Sequence, residues 1–201
     1  GQICMANSRI VVEAPIYAAF LDAFKAACES LQLGDLRDPA TAYGPLINRR
    51  ALEKVQQHQR DATEHGAELL TGGSVVRGLT YAPTVLLEPP RDSSAWRDES
   101  FGPLTSVVTA NDLDEAIAIA NDSEFGLSAG VLTHNTQWGF RAARGIRSGS
   151  VHIGMHSFQS NALAPIGGHG LSGLGRSGGR YSIEEFTELK WVSLELGDNA
   201  P

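Results

Sequence analysis

Gly1-Gln2-Ile3-Cys4-Met5-Ala6-Asn7-Ser8-Arg9-Ile10-Val11-Val12-Glu13 sets a cysteine in a turn of small residues just ahead of an apolar run. The run predicts a short strand from Arg9 to Glu13, ended by Pro15. A helix follows, roughly Ile16 to Leu31, because Tyr17, Phe20, Leu21, Phe24, Ala27, Cys28 and Leu31 recur on one face at helical spacing. Cys28 belongs to that stripe and reads as an inert core thiol, with Gly34 as the helix stop. Cys4 lies outside any such stripe. A cysteine at the mouth of a strand is either a covalent nucleophile, since its thiolate attacks strongly even at modest population, or a small incidental thiol.

The same change from strand to helix recurs along the chain. Asp35 to Leu46 is a turn-rich connection, and Asn48 caps a second helix from Arg49 to His65, ended by Gly66. That helix turns Leu52, Val55 and Ala62 inward, and His58 and His65 are expected on its wet side with no role. Strands are expected at Ala67–Leu70, Tyr81–Leu87 and Leu104–Thr109. Asp112 or Asn111 caps a helix ending at Asn121, and Gly126–Thr133, nearly all small or apolar, suits a strand covered on both faces. A short helix (Thr136–Gly145) and a strand (Gly149–Ile153) complete an order that points to a largely parallel sheet flanked by helices, an α/β fold in three layers.

Three later stretches bear on chemistry. Glu99, in Trp96-Arg97-Asp98-Glu99-Ser100-Phe101-Gly102-Pro103, is a carboxylate beside an aromatic and a Gly-Pro break at the entry to a strand. It reads as a solvated loop acid or as a hydroxyl-binding carboxylate of the kind that holds a ribose. The loop Gly154–Leu163, with Met155, His156, Phe158 and Gln159, follows a strand and is an ordinary surface loop or a pocket wall. Seven glycines then fall between Gly167 and Gly179 without the Gly-Lys-Ser/Thr ending or the strand-helix setting of a phosphate loop. They predict backbone that packs closely, with several left-handed positions and Arg176 tying the loop down. The last strand is expected at Thr187–Leu196 after a short helix at Ser182–Phe186; apolar on both sides, it calls for cover by another subunit.

Composition bounds the reading. With 201 residues, 42% hydrophobic and 19% charged, the chain is long enough to bury a sizeable core. The formal charge of -7 and the lack of a basic cluster argue against nucleic acid, and no apolar stretch reaches membrane-spanning length. No signal peptide is expected, and two cysteines are too few for a disulfide framework, so a reducing, cytoplasmic setting is the default. A reactive centre four residues from a terminus would fray, which gives the expectation that the natural protein begins upstream of Gly1.

Taken in order, five stretches resemble the aldehyde dehydrogenase superfamily over essentially the full chain. These are Gly1-Gln2-Ile3-Cys4, Tyr43-Gly44-Pro45-Leu46-Ile47-Asn48, Glu99-Ser100-Phe101-Gly102-Pro103, Asn121-Asp122-Ser123-Glu124-Phe125-Gly126-Leu127-Ser128-Ala129-Gly130, and the loop Pro165 to Gly179. The resemblance is to the C-terminal part of such an enzyme. It implies a catalytic domain over 1–180, an oligomerisation strand within 181–201 and a homo-oligomer, with the dinucleotide-binding domain, general-base glutamate and oxyanion asparagine lying upstream of Gly1. It implies that Cys4 attacks an aldehyde to give a thiohemiacetal, that NAD or NADP accepts hydride, and that water hydrolyses the resulting thioester. It assigns Glu99 to the nicotinamide ribose and Phe101 to the nicotinamide ring.

The general look resembles the branch acting on salicylaldehyde, vanillin and benzaldehyde, with Phe158 as an aromatic wall and His156 beside it in the substrate pocket. No metal is implied. The family usually has Asn where Gly154 stands and Phe where Ile166 stands. Two rivals remain: a Cys/His thiol hydrolase using Cys4 with His152 or His156, and a noncatalytic assembly piece. Without the upstream parts the isolated chain is expected to be inactive and to expose an apolar patch.

Overall fold

A computed structural model describes residues 1–195. Strand β1 (Arg9–Glu13) leads through a 3-10 turn (Ala14–Ile16) into helices α1 (Tyr17–Glu29) and α2 (Arg49–Glu64). Next come β2 (Glu68–Thr71), β3 (Val75–Arg77), β4 (Thr80–Tyr81), β5 (Thr84–Leu87), the short helix α3 (Ser94–Arg97) and β6 (Leu104–Ala110). Helix α4 (Leu113–Asn121), β7 (Phe125–Gly126), β8 (Ser128–Val131), α5 (Thr136–Gly145), β9 (Ser150–Ile153), β10 (His169–Gly170) and α6 (Arg180–Glu185) complete the order.

The main sheet runs β1-β6-β5-β2, with β1, β6 and β5 parallel and β2 an antiparallel edge. Side chains alternate across a strand, so β5 sends Val85 and Leu87 to one face and Leu86 to the other. On the first face Val12, Val85, Leu87 and Val107 meet Phe20, Leu21 and Phe24 of α1. On the second, Leu86 and Leu104 meet Leu52, Val55 and Ala62 of α2 and Ala95 of α3. The expected three layers are therefore present. Val55, Leu86 and Val107 are wholly enclosed, and each such side chain contributes on the order of 1.5–3 kcal/mol.

Local chemistry sets the helix ends. Asn48 accepts from the Ala51 N–H at 2.9 Å, and Asp112 from the Glu115 N–H at 2.9 Å while Glu115 reaches back to the Asn111 N–H. Gly66, at φ 106°, ends α2 in the left-handed conformation. Helix α1 stops earlier than expected: Ser30 caps it by donating to the Ala27 carbonyl, so Gly34 has no part in the stop.

Three further expectations are corrected. The strand placed at Tyr81–Leu87 breaks between β4 and β5 around Pro83, which has no N–H for a ladder. The strand placed at Gly126–Thr133 divides into β7, which pairs with β10, and β8, which pairs with β9. It is not covered on both faces, since Gly130 is exposed and Leu132 is 78% exposed. The terminal segment 187–195 is not a strand, because no described strand lies beside it to form a ladder. Leu189, Trp191, Val192 and Leu194 project into solvent there, and Leu196 falls outside the described residues.

The glycine-rich loop packs as its composition predicts. Five of its glycines, Gly170, Gly173, Gly175, Gly178 and Gly179, have left-handed φ. Arg176 donates to the Gly168 and Gly175 carbonyls, and β10 docks the loop on β7. Among the described residues no helix is long and apolar enough to cross a membrane, and no cluster of three or more potential metal ligands occurs.

Candidate active site

The Ala6 N–H donates to the Ile3 carbonyl at 3.0 Å, closing a turn whose two central residues are Cys4 and Met5. The thiol is exposed at the crest of this turn, five residues before β1 begins at Arg9. The turn is pinned on three sides. Gln2 accepts from the Ile47 N–H at 2.9 Å, Thr105 donates to the Asn7 carbonyl at 2.9 Å, and the buried Ser157 lies 2.6 Å from both the Met5 carbonyl and the Asn7 side chain. Ser157 is itself held by Ser128, which donates to its carbonyl at 2.6 Å. Among the described residues nothing accepts the Cys4 N–H, which leaves it free to bind a developing oxyanion.

The loop carrying Glu99 comes to the same place from the far side of the fold. Gly1 touches it so closely that a Cβ there would sit 1.7 Å from the Gly102 carbonyl oxygen. A pocket of about 70 Å³ is lined by Cys4, Glu99, Ser100, Phe101 and Gly102, together with Asn7 and Ser8. Glu99 points its carboxylate outward, and Phe101 leaves 41% of its surface exposed. Phe101 holds a left-handed backbone (φ 49°), a conformation that costs an L-residue about 1–2 kcal/mol. Upstream, Trp96 is buried between the guanidinium groups of Arg91 and Arg9, 4.0 and 5.0 Å from its ring centroid, and Arg97 pairs with Asp122 at 2.7 Å. These contacts fasten α3 to β1 just before Glu99. Glu99 thus offers an acceptor-only carboxylate and Phe101 an exposed flat ring in the same pocket as the thiol, groups able to accept from hydroxyls and to pack on a planar ring.

The sequence-predicted residues thus divide. Cys4, Glu99 and Phe101 share one pocket; Phe158 and His156 do not line it. Those two are exposed on the neighbouring loop, their rings stacked at 6.4 Å, and Ser157 between them carries the bond to the cysteine turn. Neither His152 nor His156 hydrogen-bonds Cys4 or lines its pocket among the described residues, so the geometry gives a thiol hydrolase no base. Cys28 packs against the core beside Phe24, and burial first, then Glu29, pushes its thiol pKa up, consistent with an inert role. A larger cavity of about 410 Å³ adjoins the Cys4 pocket through Ala6, Asn7 and Ser8; it lies between β1 and β8, is floored by α4, and has His156 but not Phe158 in its wall. It exists because β1 pairs only with β6 and β8 only with β9 among the described residues, leaving their facing edges apart.

Two residues escaped sequence reasoning. His58 was placed on the wet side of α2, but it is 4% exposed, with Nδ1 2.9 Å from the Ser100 hydroxyl. It follows Leu52 and Val55 and precedes Ala62 on the buried stripe, a spacing that could have marked it as inward. Ser157 carried no local signal, since its partners lie about 150 residues away in sequence. Gly154 has φ 74° with open space around it, and Asn is the residue other than glycine that tolerates this conformation best, so this departure leaves the backbone path intact.

Known proteins resemble this chain in sequence and in fold. The model of the aldehyde dehydrogenase family matches residues 1–192. Glutarate-semialdehyde dehydrogenase of Pseudomonas putida is 37% identical over 98% of this chain and 41% of its own length, and benzaldehyde dehydrogenase of Bacillus subtilis is 39% identical over 97% and 40%. The crystal structure of an NAD-dependent aldehyde dehydrogenase from Sinorhizobium meliloti superposes with a TM-score of 0.93 at 38% identity, covering all of this chain and 40% of that one. The chain therefore spans about two-fifths of the length of these relatives. It belongs to the aldehyde dehydrogenase family.

Proposed function

We propose that this chain supplies the nucleophile and part of the nicotinamide site of an enzyme that oxidises an aldehyde to a carboxylic acid with NAD or NADP. The observation that carries the reading is the meeting of Cys4, Glu99 and Phe101, about 95 residues apart in sequence, around one pocket. Cys4 attacks the aldehyde carbonyl as thiolate, and its backbone N–H binds the oxyanion of the thiohemiacetal. The nicotinamide coenzyme, when bound, supplies the two-electron acceptor. Glu99 binds ribose hydroxyls and Phe101 packs on the ring, which holds the reacting carbons in line. Loss of hydride leaves a thioester on Cys4, and water releases the acid.

Residues 1–180 act as the thiol-bearing unit and the segment from 181 as an arm that pairs with a second copy. The exposed Leu189, Trp191, Val192 and Leu194 support that arm. The chain is inactive by itself, because the base and most of the coenzyme site come from elsewhere. An aromatic aldehyde is the substrate class we favour. The stacked His156–Phe158 pair offers a flat apolar face beside the cysteine turn, and one relative acts on benzaldehyde by name. The two free thiols fit a reducing compartment, the cytoplasm. In the full-length gene product, Cys4→Ala should abolish aldehyde-dependent NAD(P)H formation, while Glu99→Gln should weaken coenzyme binding. Undiminished turnover in Cys4→Ala would refute the role of the thiol.

A further inference from the structure

Helix α2 grips the loop that bears Glu99 and Phe101 along one stripe. Its Asp61 accepts from both the N–H and the hydroxyl of Ser94 at 2.7 Å, where α3 begins. One turn earlier His58 meets the Ser100 hydroxyl at 2.9 Å, and one turn earlier again the Lys54 ammonium donates to the Glu99 carbonyl. Val55 closes the contact from the apolar side: a Cβ on Gly102 would come within 2.3 Å of its Cγ2. Positions 54, 58 and 61 fall on one helix face, so the whole segment 94–102 is registered against a rigid element.

The loop alternates. Ser100 and Gly102 are buried, with Ser100 only 6% exposed, whereas Glu99 and Phe101 are exposed, and all four line the pocket. Fixing the two buried residues therefore fixes the two exposed ones. The left-handed φ of Phe101 persists only because both neighbours are held. Release of Ser100 would let residue 101 relax to negative φ and swing its ring away. A histidine among Leu52, Val55 and Ala62 would be a costly packing choice without a partner. Its hydrogen bond among the described residues is to Ser100, and Asp98 stands 4.0 Å from Nε2.

We propose that His58 is a positioning residue, acting through Ser100 to hold Glu99 and Phe101 in the geometry that binds the nicotinamide nucleoside, although His58 itself never touches the coenzyme. The proposal rests on the reading of Glu99 and Phe101 given above. Its test is the dissociation constant of NADH or NADPH for the full-length gene product, taken from nicotinamide fluorescence, with the alkylation rate of Cys4 and the melting temperature measured alongside. His58→Leu and Ser100→Ala should each weaken coenzyme binding about tenfold. Cys4 alkylation should stay at the wild-type rate, because the cysteine turn is pinned by other residues. His58→Asn, whose amide falls where Nδ1 stands, should recover most of the affinity, an effect that general loosening of the fold would not give. Wild-type affinity in folded His58→Leu and Ser100→Ala, alongside weakened binding in Glu99→Gln, overturns the role of His58 alone. Unchanged affinity in Glu99→Gln removes the coenzyme reading of Glu99 and this proposal with it. Should His58→Leu fail to fold, Ser100→Ala decides by the same criterion.

Discussion

Replacing Ser157 with alanine tests how the cysteine turn is held. The hydroxyl is buried and lies 2.6 Å from both the Met5 carbonyl and the Asn7 side chain. With one proton to give, the hydroxyl is shared between these two acceptors. Alanine removes both bonds and leaves a carbonyl and an amide facing a methyl group, a loss of about 1–3 kcal/mol. For a domain of this size that corresponds to a fall of roughly 2–12 °C in melting temperature. The kinetic effect should exceed the loss of stability, because a nucleophile displaced by about 1 Å loses on the order of a hundredfold in rate. Circular dichroism melting and kcat/KM of the full-length gene product measure the two effects, with Ser157→Thr keeping the hydroxyl as control. A Ser157→Ala variant that melts within about 1 °C of wild type and turns over normally would refute the role assigned to this contact.

Three further outcomes are expected. Gly102→Ala should destabilise by about 1–3 kcal/mol, since its Cβ would overlap the enclosed Val55, and urea unfolding would show the shift. Acid should weaken the fold in two stages. Burial, with Lys54 adding to it, lowers the pKa of His58, so its contribution is complete above the ordinary value of 6.5 and is lost as pH falls below that. Ser94 lowers the pKa of Asp61, whose contribution is lost only as pH falls below the ordinary 3.8. His65, raised by its bond to Asp61, opposes the first stage, so urea midpoints at about pH 7.5 and 5.5 should be compared between wild type and His58→Asn; an identical pH response would contradict the assignment. Ending the chain before Thr187 should leave the melting temperature within about 2 °C and reduce self-association in sedimentation, because the described part of that tail lies exposed outside the sheet; a collapse of folding would contradict this.

Apolar periodicity and capping chemistry made the first helix, the central strands and helix α5 legible, because those signals act within one turn or one strand. Asn48 and Asp112 announced their helices by residue type alone. Signals that depend on a distant partner were invisible. Thr187–Leu196 reads as a strand from its apolar pattern, but a ladder needs a second strand, and none of the described residues supplies one beside 187–195. Residues 126–133 read as one strand, yet two different partners, β10 and β9, divide it. At the site, the motif around Cys4 and that around Glu99 were legible as separate stretches, whereas their meeting depends on β1 lying beside β6. His58 was misread because histidine counts as polar in a helical pattern, and only Ser100, 42 residues on, makes its burial affordable.

The central claim is covalent chemistry at Cys4. The direct measurement is rapid acid quench of the full-length gene product during turnover of benzaldehyde with NAD or NADP, followed by peptide mass spectrometry. The expected result is a benzoyl group on the peptide carrying Cys4, with the adduct and NAD(P)H formation both lost in Cys4→Ser. NAD(P)H formation at the wild-type rate in Cys4→Ser, with no acyl mass on that peptide, would contradict it.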